Sequence, residues 1–178
     1  MENVMAIMKG AAQGRTENQY LMGEKYFYGL GVETDVKVAG SWYKEAAKRG
    51  HAAAAYMYGY ILLTGMAGTI DLKRGNGYMK KATRLSDKNA ALFLARNYYY
   101  GYGLKKNDKR AYKLWKKGAK KGCAEAEYYL GLCYEKGIYV KPDVLKAKRH
   151  LLAAFENGFT VPTRDEGGGN ALYFSRAV

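Results

Sequence analysis

The chain has 178 residues, and its 30 Lys and Arg outnumber its 16 Asp and Glu to give a net charge of +14. A charge of that size favours acidic partners and is silent on fold. No stretch reaches the roughly 18 apolar residues of a membrane-spanning helix, and two cysteines are too few for a small fold stapled by disulfides.

Residues 1–16 do not read as a secretory leader, since Glu2 leads and Lys9 interrupts the apolar stretch. Gly10, Ala11 and Gly14 instead anticipate Ala46, Ala47 and Gly50, 36 residues on. Residues 3–14 therefore read as a helix, the second of a pair whose first is missing. The segment 1–16 is either an N-terminal cap or the point where a longer array is cut.

From Gln19 to Phe27, Gln19, Met22, Gly23 and Tyr26 fall on one helical face, which defines helix A. Gly29 stands where that helix must stop, in a left-handed conformation that glycine takes without strain. Asp35 is a good N-cap. It opens helix B, whose inner face carries Ala39, Trp42, Tyr43, Ala46 and Ala47 and which ends at Gly50.

The pattern returns every 36 residues without insertion. Gly23 becomes Gly59, Ala95 and Gly131, and Gly29 becomes Gly65, Gly101 and Gly137. Asp35 becomes Asp71, Asn107 and Asp143, and Ala46 becomes Ala82, Gly118 and Ala154. Gly50 becomes Ser86, Gly122 and Gly158. One helical pair cannot bury its apolar face alone, whereas stacked pairs can. The expected fold is an all-α array (1–160) of four helix-turn-helix repeats at 17–52, 53–88, 89–124 and 125–160. Val161-Pro162 breaks the pattern, so 161–178 reads as a tail or a short capping helix.

Tyr20, Met22, Gly23, Tyr26, the Gly29-Leu30-Gly31-Val32 turn, Asp35, Ala39, Trp42-Tyr43, Ala46-Ala47 and Gly50 together resemble the Sel-one-like repeat (SLR), a relative of the tetratricopeptide repeat. The third copy keeps the pattern in Tyr98, Gly101-Tyr102-Gly103, Ala111, Trp115, Ala119 and Gly122. The second departs at Met66-Ala67-Gly68 and Gly75, and the fourth puts His150 where Trp42 stood. The resemblance implies a right-handed α/α superhelix and a scaffold or adaptor that binds a protein or peptide and catalyses nothing. Some secreted SLR proteins staple helix A to helix B with a cysteine pair in each repeat. Cys123 and Cys133 do not follow that pattern. Ten residues of helix would hold them roughly 15 Å apart, beyond the reach of about 7 Å that a disulfide allows. With no leader, this points to the cytoplasm, and export by another route stays open.

No catalytic set can be assembled. His51 reads as a solvated turn residue and His150 as a packing residue. No His-x-x-x-His or Cys-x-x-Cys spacing offers a metal site. The Gly-x-Gly turns follow helices, where a dinucleotide fingerprint needs a strand. No cofactor is implied, and a hydrolytic role on cell-wall-like ligands, linked to some SLR proteins, has no matching residues here.

Two surfaces remain. The first is the outward face of helix A, columns 21, 24, 25 and 28, which lines the concave side in this superfamily. Met57, Tyr60, Phe93, Arg96, Tyr100 and Tyr129 are its expected contact residues for a peptide or a helix. The competing reading is that neighbouring A helices pack together and hide column 21. The second surface is basic: nine of the seventeen residues from Lys105 to Lys121 are Lys or Arg. Lys109, Lys113, Lys116, Lys117 and Lys120 share one face of the third helix B. That face is either simply solvated or meets an acidic partner, which is an acidic protein, anionic lipid or nucleic acid. An open-ended array also leaves self-association open.

Overall fold

The structure, a computed structural model, describes residues 4–160. The segment expected as a tail or capping helix, 161–178, lies outside the described residues. Every regular element among the described residues is an α-helix. They divide into two compact units, one running to Gly118 and one from Ala119. The first holds α1 (Val4–Ala12), α2 (Thr16–Tyr28), α3 (Val36–Lys48), α4 (Ala52–Thr64), α5 (Leu72–Arg84), α6 (Lys88–Tyr100) and, but for its last residue, α7 (Asp108–Ala119). The second holds α8 (Ala124–Lys136) and α9 (Val144–Glu156). Helix α1 is the lone helix expected near the N-terminus. The even-numbered helices are the A helices, and the first begins three residues before Gln19.

The recurring columns have visible causes. Asp35 Oδ1 accepts from the N–H groups of Lys37 and Val38 at 2.9 and 3.0 Å. Asp71, Asn107 and Asp143 each accept one such bond at 2.9 Å. These bonds satisfy donors that a helix start leaves open. Gly29, Gly65, Gly101 and Gly137 end the A helices at φ of 71°, 72°, 75° and 70°. A further bond closes every hairpin: the N–H of Asp35, Asp71, Asn107 and Asp143 donates to the carbonyl of Tyr26, Leu62, Tyr98 and Tyr134. The capping residue thus holds both the start of helix B and the end of helix A.

The small residue of helix A marks where the two helices of a pair touch. A Cβ on Gly23 would lie 2.5 Å from the Tyr43 ring, and one on Gly131 would lie 2.6 Å from Leu151. In the first unit, Tyr43, Ile61, Leu63, Met79 and Trp115 are almost wholly buried, and Ile7, Ala11 and Met22 pack beneath Leu21, Tyr26 and Trp42. In the second, Ala126, Leu130 and Cys133 meet the α9 side through Ala147 and Ala154, all buried.

Two expectations are corrected. Column 25 does not face outward: Ile61, Asn97 and Cys133 are buried, and only Lys25 is partly exposed. Where the contact is seen, at Ile61 against α3 and Asn97 against α5, this column packs on the helix B of the repeat before. His51 is not a solvated turn residue. Its Nδ1 accepts from Ala54 N–H at 3.1 Å, which makes it the N-cap of α4. Its Nε2 lies 3.1 Å from Glu17 Oε2, and its ring stacks on Tyr20 at 4.3 Å. His150 packs as expected, parallel to the Tyr134 ring and 2.6 Å from Glu127 Oε2. Neither Cys123 nor Cys133 forms a disulfide among the described residues.

Candidate interaction surface

Helices α2, α4 and α6 of the first unit present their columns 24 and 28 to one side. Tyr28 and Tyr100 are 55% and 50% exposed, which is unusual for large aromatic side chains in a folded unit. Between them in the chain, Met57, Tyr60 and Arg96 are half-buried. Phe93 is only 4% exposed. Column 21 is therefore split: Phe93 is hidden, as tight packing of neighbouring A helices demands, whereas Met57 keeps some exposure.

Phe93 instead acts as a floor. The Tyr60 ring meets it edge-on at 5.9 Å and the Tyr56 ring at 6.5 Å. The Arg96 guanidinium lies 4.9 Å above its face. Such edge and cation contacts fix the directions in which Tyr60 and Arg96 point. Tyr56 was not singled out from the sequence, and its column, which also holds Tyr20 and Tyr128, was an available signal. Tyr28 lies in the expected outward column with Tyr100 but is not among the expected contact residues.

Electrostatics join these rings. Burial raises the Tyr60 phenol, and nearby Arg96 pulls it the other way. Burial also raises Tyr28, with smaller contributions from Glu24 and Tyr60. Glu24 accepts from Tyr43 Oη at 2.5 Å. Burial, reinforced by Glu24, pushes Tyr20 up to about 12 and Tyr43 higher still. The face thus offers exposed aromatic edges, phenol hydroxyls, one guanidinium and one carboxylate. These groups can stack on apolar side chains and bond a peptide backbone. Tyr129 lies in the second unit on α8, half-buried, with its ring 5.4 Å from Tyr128.

Among the basic residues, Lys109, Lys113, Lys116 and Lys117 are exposed on α7, and Lys120 is exposed in the second unit. Lys80 of α5 and Arg110 of α7 approach the same Tyr98 ring, at 6.0 and 5.3 Å. Arg110 also donates to Tyr98 Oη at 3.0 Å. A shallow depression of about 350 Å³ lies at Lys80, Thr83, Arg84 and Leu94. No group of three or more His, Cys, Asp or Glu that could hold a metal occurs among the described residues. No described helix is long and apolar enough to cross a membrane.

A family model described as Sel1 repeat matches residues 19–51, 52–87, 88–123 and 124–159. The chain is also similar to a Sel1 repeat protein from Oxalobacter formigenes, at 29% identity and a TM-score of 0.82, over 88% of this chain and 65% of that one. A protective antigen of uropathogenic Escherichia coli strains, displaying an SLR fold, matches at 29% identity and a TM-score of 0.83. That match covers 87% of this chain and 33% of the antigen. Helicobacter pylori cysteine rich protein B shares 21% identity with a TM-score of 0.54, over 69% of this chain and 93% of that one, and speaks to the fold alone. The chain spans 65% and 33% of the length of the first two proteins.

Proposed function

Since the chain belongs to the Sel1 repeat family, whose members are generally non-enzymatic protein-interaction scaffolds, we propose that it is a cytoplasmic adaptor that grips a peptide or helix on the A-helix face of its first unit. The observation that carries this reading is the exposure of Tyr28 and Tyr100 beside Tyr60 and Arg96, both braced on buried Phe93. Aromatic and arginine anchors dominate protein interfaces. Tyr60, Arg96 and Tyr100 make contact, Met57 supplies apolar area, and Phe93 supports from below. Tyr129 is assigned to the corresponding face of the second unit.

Phage-displayed peptides selected on the full chain test the reading. Their affinity should fall by about tenfold or more when Tyr60 and Tyr100 become Ala and Arg96 becomes Glu. Phe93 is left intact, because its loss would open a cavity. Selected peptides that bind the variant unchanged would place the contact elsewhere.

A second reading is favoured by the pair of cations on Tyr98, which sets α5 and α7 charges side by side. That face, with Lys109, Lys113, Lys116 and Lys117, takes a polyanion by charge alone. Its aromatic rings are buried under the cations, so sequence readout of a nucleic acid by stacking is not expected. Retention of RNA or DNA in a gel shift should vanish steeply with added salt. No retention at low salt removes this reading.

A further inference from the structure

Helix α9 departs from the helices B before it. At one outer column the first three repeats carry Lys37, Lys73 and Lys109, and at another Lys44, Lys80 and Lys116. The fourth repeat carries Leu145 and Leu152 there. These leucines are 79% and 52% exposed. Next to them, Val144 is 81% and Phe155 74% exposed. Ala47, which stands in the Phe155 column of the first repeat, is fully buried.

The first unit explains what such a face is for. On α3 the matching side is covered by the following helix A: a Cβ on Gly40 would lie 3.8 to 3.9 Å from Ile61 and Tyr58 of α4. In α9, the last described helix, that side sets exposed Val144 and Phe155 around Lys148, which stands in the Gly40 column, and two leucines widen it beyond the ordinary stacking face. A repeat that ends an array in water carries a polar outer face. Between Leu145 and Leu152 lie exposed Lys148 and Arg149. A second copy fits poorly. Two α9 helices laid antiparallel would set Lys148 and Arg149 of each copy against the same cations of the other. The exposed methionines of α1, Met5 and Met8, sit beside another cation, Lys9.

We propose that the α9 face of the second unit docks an amphipathic helix of another protein, acidic along one flank, in the place a next helix A would take. The leucines and Phe155 receive its apolar stripe, and Lys148 and Arg149 meet its carboxylates. The surface is independent of the Tyr60 face. The chain carries its own specimen of such a helix: α8 holds Glu125, Glu127 and Glu135 against one basic residue, Lys136.

The probe is a fluorescein-labelled peptide of the α8 sequence, residues 124–136, with Cys133→Ser. Titration with the full chain is followed by anisotropy. The variant L145K/L152K/F155A gives α9 residues that other repeats hold at those columns, so it keeps the fold. It should bind the peptide about tenfold more weakly or worse, whereas Tyr60→Ala should bind as the parent does. A peptide with its three Glu changed to Lys should also lose about tenfold. The proposal is overturned if the parent chain does not bind, if the triple variant binds equally, or if the Lys peptide does. A parent chain that sediments as a dimer, with the triple variant a monomer, makes a second copy the occupant and sinks it too. So does a parent that binds only after Leu172, Tyr173 and Phe174 become Ser, because the chain itself then fills the face.

Discussion

The crossing of α5 and α6 allows a double-mutant test of how one packing solution replaces another. At the equivalent crossing of α3 and α4, Gly40 faces Ile61, an apolar contact. One repeat later the same positions are Asn76 and Asn97, both fully buried. Asn97 Nδ2 donates to Asn76 Oδ1 at 2.8 Å. Asn76 Nδ2 donates to Leu72 O at 2.9 Å and to Tyr102 O at 3.0 Å, which ties the turn after α6 to α5. Asn97 Oδ1 has no partner among the described residues. Asn76→Ala strands Asn97 Nδ2 as well and withdraws the donor from Tyr102 O, at a cost of about 2–4 kcal/mol. Asn97→Ile strands Asn76 Oδ1 but removes the unpartnered Asn97 oxygen, so its cost is smaller, about 1–2 kcal/mol. The double variant leaves neither amide stranded and recreates the small-residue and Ile pairing of the repeat before. It should be more stable than the two single losses summed, by about 1–3 kcal/mol. Urea unfolding of the parent, both single variants and the double variant measures this coupling. Losses that add to within about 0.5 kcal/mol would show that the two amides do not act as a unit.

Three further outcomes are expected. Ser86 sits at φ 70° in a column otherwise filled by glycine. Ser86→Gly should relieve roughly 1–2 kcal/mol of left-handed strain against about 0.5–1 kcal/mol of added chain entropy. A higher urea midpoint is expected, and an unchanged one refutes the strain. The fold raises the Tyr20 phenol to about 12 and Tyr43 further, above the value of about 10 in an unfolded chain. Stability should therefore hold below that unfolded value and fall as pH rises through the folded one. Tyr43→Phe should cost stability at neutral pH, where its bond to Glu24 is lost, and flatten the alkaline decline. Burial raises the Asp87 carboxyl despite its bond from Ala90 N–H, so its contribution is greatest in acid and shrinks as pH rises through the carboxylate range. Asp87→Asn keeps the cap acceptor and should stabilise at neutral pH but not in acid.

The helices and their ends were legible because each is dictated locally. Asp35 and Gly29 act on neighbours a few residues away, so their columns announce both caps and stops. The small residue at Gly23 signalled a close approach, and the Tyr43 ring is what approaches. Column 25 was misread because helical spacing gives a direction but not the width of the buried stripe. Here each helix A is covered on two sides, so the stripe reaches Ile61 and Asn97. His51 was misread for a related reason. A histidine can cap a helix only when Nδ1 is an acceptor, and Glu17, which meets its other nitrogen, is 34 residues away. The floor under Tyr60 was equally invisible, since nothing within α6 distinguishes buried Phe93 from exposed Tyr100.

The four copies within one chain separate what the fold compels from what it leaves free. Where a side chain would collide, as at Gly23 and Gly131, the copies agree on a small residue. Where a turn must be closed, they agree on Asp or Asn. Columns 24 and 28 meet neither constraint, and they hold Glu24, Tyr60 and Arg96, then Tyr28, Thr64 and Tyr100, in the first unit. The outer columns of helix B meet neither constraint too, yet three copies agree on lysine there and the fourth changes to leucine twice. Solvation alone accounts for lysine at such positions. It does not account for Leu145 and Leu152, because exposing them in water gains nothing for the helix and loses charge that keeps a basic protein soluble. Packing cannot have selected them either, since neither is buried against α8. The docking face proposed for α9 gives apolar side chains at those two places a physical reason.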